Sequence, residues 1–389
     1  MLILDALQSV GRLASSAAAI AVDTRRARAA GLPTSAREVD PDWLSKALAD
    51  AHPGVRVGGC ELLDDHSGTT SRARFALRYD APGDGPPPPD TVFLKITPRA
   101  YAQRLFLTAT GIGRNEVRFY RHVRPGLPVR APHVHGMATV AGDRQFVLVL
   151  EDLSAAGARL ATLGDHVGEA DVRRILDAMA GLHAHFWESD RFRGDLGWVP
   201  CYESRARDMA WERFITGQMV GLTRRRFADS LGEPLRRAAD AVIHRRDRLE
   251  RLWSEGARTL IHGDSHFGNL FFLGDEPGFL DWQVCARAPA MRDVSYLLCN
   301  SLPSELRESG EREWIGGYLA ALRARGVEAP GFDVAWRQHR LFALYSFIAA
   351  AFTAAAGEGL QSRAIAEAGL RRGTRAVEAL ESVECLDAA

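Results

Sequence analysis

Asp264, Asn269 and Asp281 offer three oxygen donors at a spacing that suits a hard divalent cation. They lie in Thr-Leu-Ile-His262-Gly-Asp264-Ser-His266-Phe-Gly-Asn269-Leu-Phe-Phe-Leu, followed by a Gly-Asp-Glu-Pro-Gly turn and Phe-Leu-Asp281-Trp-Gln. Two apolar, strand-like runs flank a polar loop, so the two carboxylates and the amide can converge on one point. Mg²⁺ prefers such oxygen ligands and fills its remaining positions with water and substrate phosphates. Phosphoryl transfer asks little more of a protein: an aligned hydroxyl, a carboxylate to take its proton, and cations on the phosphates. The segment also admits another chemistry. His262, Asp264 and His266 alternate, and an extended backbone would turn all three to one side, as ligands of a metal-dependent hydrolase.

A second signal comes from lysine. The chain holds 47 Arg and only two lysines, Lys46 and Lys95. A lysine within Val-Phe-Leu-Lys95-Ile, in a chain that otherwise uses Arg as its cation, invites a specific explanation. Ser67-Gly68-Thr69-Thr70-Ser71 lies between two strand-like runs. Small and hydroxyl residues let backbone N–H groups approach a polyphosphate closely, although the same composition also makes a plain turn.

The elements that must position these residues follow from periodicity. Arg72 to Tyr79 alternates, with Ala73, Phe75, Leu77 and Tyr79 on one face, and Thr91 to Thr97 puts Val92, Leu94 and Ile96 on one face and Lys95 on the other. Four consecutive prolines between these runs mark a stiff surface connection. Asn115 to Val123 reads as helix, and two more strands fall near His133–Thr139 and Gln145–Glu151. Beyond Asp152 the period becomes helical: Val172, Ile175, Leu176, Met179, Leu182, His183 and Phe186 form one buried stripe, with His183 and His185 read as packing residues. A second helical block runs from about Trp336 to Ala356. The expected fold is α+β with two lobes. Residues 1–36 form a helical extension, 37–152 a lobe with a five-stranded antiparallel sheet and one main helix, and 153–389 a mainly helical lobe.

The motif His262-Gly-Asp264-x-His266-x-x-Asn269, followed by a strand ending in Asp281-Trp, resembles the aminoglycoside-phosphotransferase and choline-kinase families. These are relatives of the protein kinases, and the likeness is strongest to their ecdysteroid-kinase-like branch. The His-x-Asp-x-x-x-x-Asn spacing also matches the protein-kinase catalytic loop. The resemblance covers roughly Leu62 to Leu302. It implies a protein-kinase-like fold, with nucleotide binding for the first lobe and catalysis and acceptor binding for the second, and an ATP- and Mg²⁺-dependent transfer to a small-molecule hydroxyl. Asp264 would be the catalytic base, His262 would brace the loop, Asn269 and Asp281 would hold Mg²⁺, and Asp293 would support the loop. It further implies that Ser67 to Ser71 cover the phosphates, that Lys95 neutralises them while paired with Glu116, and that the backbone near Leu150, Glu151 and Asp152 receives adenine. Glu151 and Asp152 also suit a plain helix N-terminal cap region.

Composition narrows the partners. Forty-nine basic residues balance forty-nine acidic ones, so no overall field draws the chain to nucleic acid or an anionic membrane. No uninterrupted apolar run approaches the ~20 residues needed to cross a bilayer. Five scattered cysteines without a C-x-x-C pair speak against a disulfide framework or a zinc site and fit a cytoplasmic protein. Residues 171–258 carry 17 Arg against 14 Asp plus Glu, a poor lining for polycationic aminoglycosides. Trp187, Trp198, Trp211, Phe214, Trp336, Phe342, Tyr345 and Phe347 add aromatic content to the helical lobe; most suit its core, and a few suit an apolar cleft for a hydrophobic alcohol such as a steroid or macrolide. A kinase-shaped, nucleotide-binding protein without catalysis is the alternative from another class, since fold alone does not establish activity.

Overall fold

A computed structural model describes residues 2–83, 85–161, 168–202, 209–357 and 362–388. The chain forms two compact units: Val10–Gly126 with Ala131–Arg159, and Met1–Ser9 with Leu127–Arg130 and Leu160–Ala389. The first contains most of the N-terminal helix α1 (Leu2–Ala29), then α2 (Pro41–Leu48), β1 (Arg56–Ser67), β2 (Ser71–Ala81) and β3 (Thr91–Ile96). It continues with α3 (Tyr101–Thr110), α4 (Ile112–Arg118), a π-helical turn (Phe119–Val123), β4 (Val134–Val140) and β5 (Gln145–Glu151).

The five strands make one sheet in the order β1-β2-β3-β5-β4, antiparallel throughout. Alternation decides which face each strand buries. Ala73, Phe75, Val92, Leu94 and Ile96 pack with Val147 and Val149 against Leu44 and Leu48 of α2, and α2 is itself started by Asp40, whose carboxylate accepts the Trp43 N–H at 2.7 Å. In β5 the intervening Phe146, Leu148 and Leu150 are buried too, so this strand lacks a solvated face. Lys95 lies opposite Leu148 in that register. The helical region before β4 is longer than the sequence suggests. Gly111, in the left-handed region at φ 73, caps α3 through its N–H to Leu107 O at 2.9 Å and restarts the chain as α4, which delivers Glu116.

The second unit holds α5 (Glu169–His185), α6 (Met209–His244), α7 (Arg246–Trp253), β7 (Thr259–Ile261), the hairpin β8 (Leu270–Leu273) and β9 (Glu276–Phe279), and β10 (Ala286–Ala288). The two-residue strand β6 (Arg159–Leu160) precedes α5, and α8 (Met291–Ser301), α9 (Ser304–Ala324), α10 (Phe332–Ala356), α11 (Arg363–Ala379) and α12 (Ser382–Ala388) follow β10. Helix α10 is long and apolar enough to cross a membrane, yet 61% of its apolar window is buried within the chain. Leu341, Leu344, Phe347 and Ala351 fill a core shared with Val220, Leu235 and Ala238 of α6 and Leu370 and Val377 of α11. All five cysteines are free thiols.

Candidate active site

The loop after β7 is held from below by one buried carboxylate. Asp293, in the first turn of α8, accepts the His262 N–H at 2.6 Å and the Gly263 N–H at 2.8 Å, while its own carbonyl accepts from Ser265 Oγ at 2.9 Å. His183 of α5 places Nε2 3.3 Å from the same carboxylate and Nδ1 2.7 Å from the Tyr318 hydroxyl, and Asp293 and His183 are both fully buried. Burial alone would push the Asp293 carboxyl up, but His183, His262 and the Gly263 N–H overcome it and hold the group below the usual carboxylate range. Gly263 is required by geometry: at φ 86 an added Cβ would meet the Val284 carbonyl oxygen at 2.3 Å.

This anchor makes a stability prediction. A carboxyl whose folded pKa is depressed contributes stability that is complete above its unfolded pKa and disappears as pH falls through its folded value. Asp293→Asn is expected to cost about 1–3 kcal/mol, the scale for leaving a buried hydrogen-bonding group unsatisfied. It should also flatten the fall in melting temperature between neutral and acidic pH. Thermal melts at both pH values check this, and a variant melting like the wild type at each would remove Asp293 as the anchor.

His262 is fully buried and sits 4.6 Å from the Trp282 ring. Its Nδ1 accepts the Asp264 N–H at 3.2 Å, which puts the proton on Nε2, and Nε2 donates to Leu280 O at 2.9 Å. Burial lowers the imidazole pKa despite the nearby charges of Asp293, Asp264 and Asp281. A neutral ring with both nitrogens engaged braces the loop and is unavailable to a metal. The hydrolase chemistry open to His262, Asp264 and His266 in an extended backbone is therefore not supported. The segment turns instead: His266 Nδ1 accepts the Gly268 N–H at 2.9 Å and caps the short helix Phe267–Asn269. Among the described residues no three His, Cys, Asp or Glu side chains gather as a metal cluster.

Asp264 and Asn269 are joined directly. Asn269 Nδ2 donates to the Asp264 carbonyl and to its Oδ2, both at 2.9 Å, which turns the amide Oδ1 into the remaining acceptor. The Leu280 N–H reaches Asn269 O at 3.0 Å, and the next residue, Asp281, adopts the left-handed region at φ 64. Such a backbone costs on the order of 1–3 kcal/mol away from glycine, and Asp is among the residues that tolerate it best. An amide oxygen and a carboxylate are hard donors of the kind Mg²⁺ takes. Burial, together with the nearby Asp264 carboxylate's charge, drives the pKa of the Tyr296 phenol of α8 well above its ordinary value. Tyr296, its ring neighbour Tyr345 at 5.9 Å, and Arg292 carry no motif in the sequence. A cavity of about 830 Å³ lined by Arg130, Arg173, Arg174, His185 and Arg325 contains none of these residues.

The remaining candidates belong to the sheet unit. Lys95 Nζ and Glu116 Oε1 are 2.5 Å apart, with the two residues 5% and 0% exposed. So deep a lysine needs such a partner. The β1–β2 connection is tight: Ser67 pairs with Ser71, and the Gly68 N–H donates to Thr70 O at 3.1 Å across Thr69. Of the segment Leu150 to Asp152, the Glu151 N–H is already given to His133 O at 2.8 Å. The Asp152 carboxylate takes Arg74 Nη2 at 2.9 Å and the Ser154 N–H at 3.1 Å, a capping and bridging role. Its pKa, raised by burial, is brought below the usual range by Arg74.

A structure of an aminoglycoside-phosphotransferase candidate from Ralstonia eutropha superposes with a TM-score of 0.51 at 14% identity, covering 88% of this chain and 97% of that one. A macrolide 2'-phosphotransferase from Brachybacterium faecium gives a TM-score of 0.47 at 19% identity over 85% of this chain and 97% of its own. At 14% identity the likeness to the first is one of fold. No curated protein matches the chain in sequence. The sequence profile of the phosphotransferase enzyme family, however, matches residues 66–342, a span that takes in Lys95, Glu116 and the whole loop from His262 to Asp293. With the kinase-like fold and the Asp264–Asn269 loop in place, the chain belongs to the phosphotransferase enzyme family, whose members act as small-molecule kinases.

Proposed function

We propose that this chain is an ATP- and Mg²⁺-dependent kinase that phosphorylates a hydroxyl of a small, largely apolar alcohol, on the ecdysteroid-kinase-like side of its family. The observation that supports this is the Asp264 carboxylate, held by Asn269 Nδ2 at 2.9 Å yet one-third exposed, and so able to meet an acceptor hydroxyl. In the step, the acceptor oxygen bonds to the γ-phosphorus and its proton passes to Asp264. The bond from that phosphorus to the β,γ-bridging oxygen breaks, and its electron pair leaves with ADP. Bound Mg²⁺, held by Asn269 and Asp281, supplies neutralising charge on the phosphates. Within the sheet unit, Lys95 paired with Glu116 is a buried cation suited to a phosphate, and the Ser67–Ser71 turn is of the small, hydroxyl-rich kind whose backbone N–H groups can approach one. Adenine lies along Leu150 to Asp152, using backbone groups other than the occupied Glu151 N–H.

Calorimetric titration of ATP with and without Mg²⁺, beside an ATP-consumption screen over steroids, macrolides, sugars and amino alcohols, tests the proposal. Lys95→Ala is expected to lower transfer by ~10²–10³-fold, the scale for losing one preorganised electrostatic contact. Lys46→Ala, on the exposed side of α2, should match the wild type. Nucleotide binding without transfer to any hydroxyl compound would favour a non-catalytic binding protein, and absence of nucleotide binding would end the kinase assignment.

A further inference from the structure

Arg292 is a cation in an unfavourable place. It stands in the first turn of α8, where the helix dipole opposes positive charge, and its side chain is half-buried. Several arginines of this unit that lose solvent are answered by carboxylates, as Arg213 and Arg246 are by Glu250 and Arg307 by Glu311. Among the described residues Arg292 has no acidic partner. One Nη donates to the Tyr345 hydroxyl, the guanidinium carbon lies 4.0 Å over the same ring, and Nε is buried without a hydrogen-bond partner. An uncompensated charge and an unmet donor in a half-buried position are costly unless a ligand answers them.

The position of this cation says which ligand. Tyr345 packs 5.9 Å from Tyr296 and edge-on to Trp253 at 5.7 Å. Tyr296, one helical turn after Arg292 on α8, lies 6.3 Å from the His266 ring, whose Nε2 is 3.7 Å from Asp264 Oδ2. Arg292, Tyr345 and Tyr296 thus form a continuous wall that is cationic at one end, aromatic in the middle, and ends near the carboxylate proposed as base. We propose that the acceptor carries an anionic group, a carboxylate or its equivalent, which Arg292 binds while the aromatic wall takes the apolar body and Asp264 meets the hydroxyl. The inference rests on the kinase reading for the role of Asp264. It selects hydroxy acids from the broader class of apolar alcohols and disfavours amine-bearing acceptors, which would bring a second cation to Arg292.

The test uses the full chain with ADP and Mg²⁺ for binding and ATP and Mg²⁺ for transfer. The probes are cholate with its primary amide and 3-hydroxybutyrate with 3-hydroxybutyramide. At least one acid should bind, and be phosphorylated, about tenfold or more better than its amide, the scale of a hydrogen bond to a charged group. Arg292→Gln should collapse that ratio toward one, Arg292→Lys should retain part of it, and Tyr345→Phe, which frees the guanidinium, should reduce it. Equal use of acid and amide, failure of both acids to bind, or a preference that survives Arg292→Gln would overturn the proposal. So would a loss of ADP affinity in Arg292→Gln larger than the loss of acid preference, because the partner would then be a nucleotide phosphate. Acid-selective binding without phosphoryl transfer would retain the subsite and remove the kinase reading. Transfer without acid preference would do the reverse.

Discussion

Asp264→Asn is expected to bind Mg·ATP nearly as the wild type does and to transfer phosphate ~10²–10⁴-fold more slowly, the usual contribution of a positioned general base. The substitution keeps the shape of the side chain, so Asn269 and the braced His262 retain their places and the loss reports on the proton acceptor alone. Tyr296 adds an internal control. Its phenol stands near the Asp264 carboxylate, and Tyr296→Phe removes this polar neighbour without removing the base, so it should lower turnover far less. Calorimetry on each variant beside a transfer assay separates the cases. If Asp264→Asn turned over normally, Asp264 would not be the base.

Asp281→Asn should behave differently, losing Mg²⁺-dependent nucleotide affinity and turnover together, with transfer down on the order of 10²–10³-fold for one lost electrostatic contact. The choice of Asn matters because Asp281 holds a left-handed backbone at φ 64, which Asn adopts about as readily as Asp. Loss of the charge is then tested with the turn intact, whereas Asp281→Ala would confound the metal with the backbone. ATP titrations with and without Mg²⁺ decide it: an Asp281→Asn protein whose affinity still rises with Mg²⁺ as in the wild type would exclude this carboxylate as a ligand.

Most of the fold was legible because its strands alternate. In β2 the buried positions Ala73, Phe75 and Leu77 fall at period two, and in β3 Val92, Leu94 and Ile96 do the same. The five-stranded antiparallel sheet, the helical second unit and the family resemblance follow from such local patterns. Helix α3 was not legible: its N-cap is Ala100, which makes no side-chain cap bond, and no acidic residue marks its first turn, so the usual start signal is missing. In the candidate site, the loop from His262 to Asp281 could be read because its residues are neighbours in sequence. Arg292 and Tyr345 could not, since they meet across 53 positions through the packing of α8 on α10. His183, expected only to pack, holds Asp293 from 110 positions away, and a single sequence carries no trace of that bond.

The short segment Leu127–Arg130 belongs to the helical unit although the sheet unit flanks it on both sides in sequence. Its Arg130 pairs with Gly278, and the Arg130 carbonyl accepts the Phe279 N–H at 2.9 Å, two residues before Asp281. During synthesis this contact must wait until β9 has left the ribosome, and it closes a long loop of chain, the kind of non-local pairing that slows folding. A fragment starting after Arg159 would lack the strap altogether. Its β9 would present an unpaired N–H beside the Asp281 turn, so the helical unit should be recovered folded only when residues 127–130 are supplied, within the intact chain or as a grafted strand.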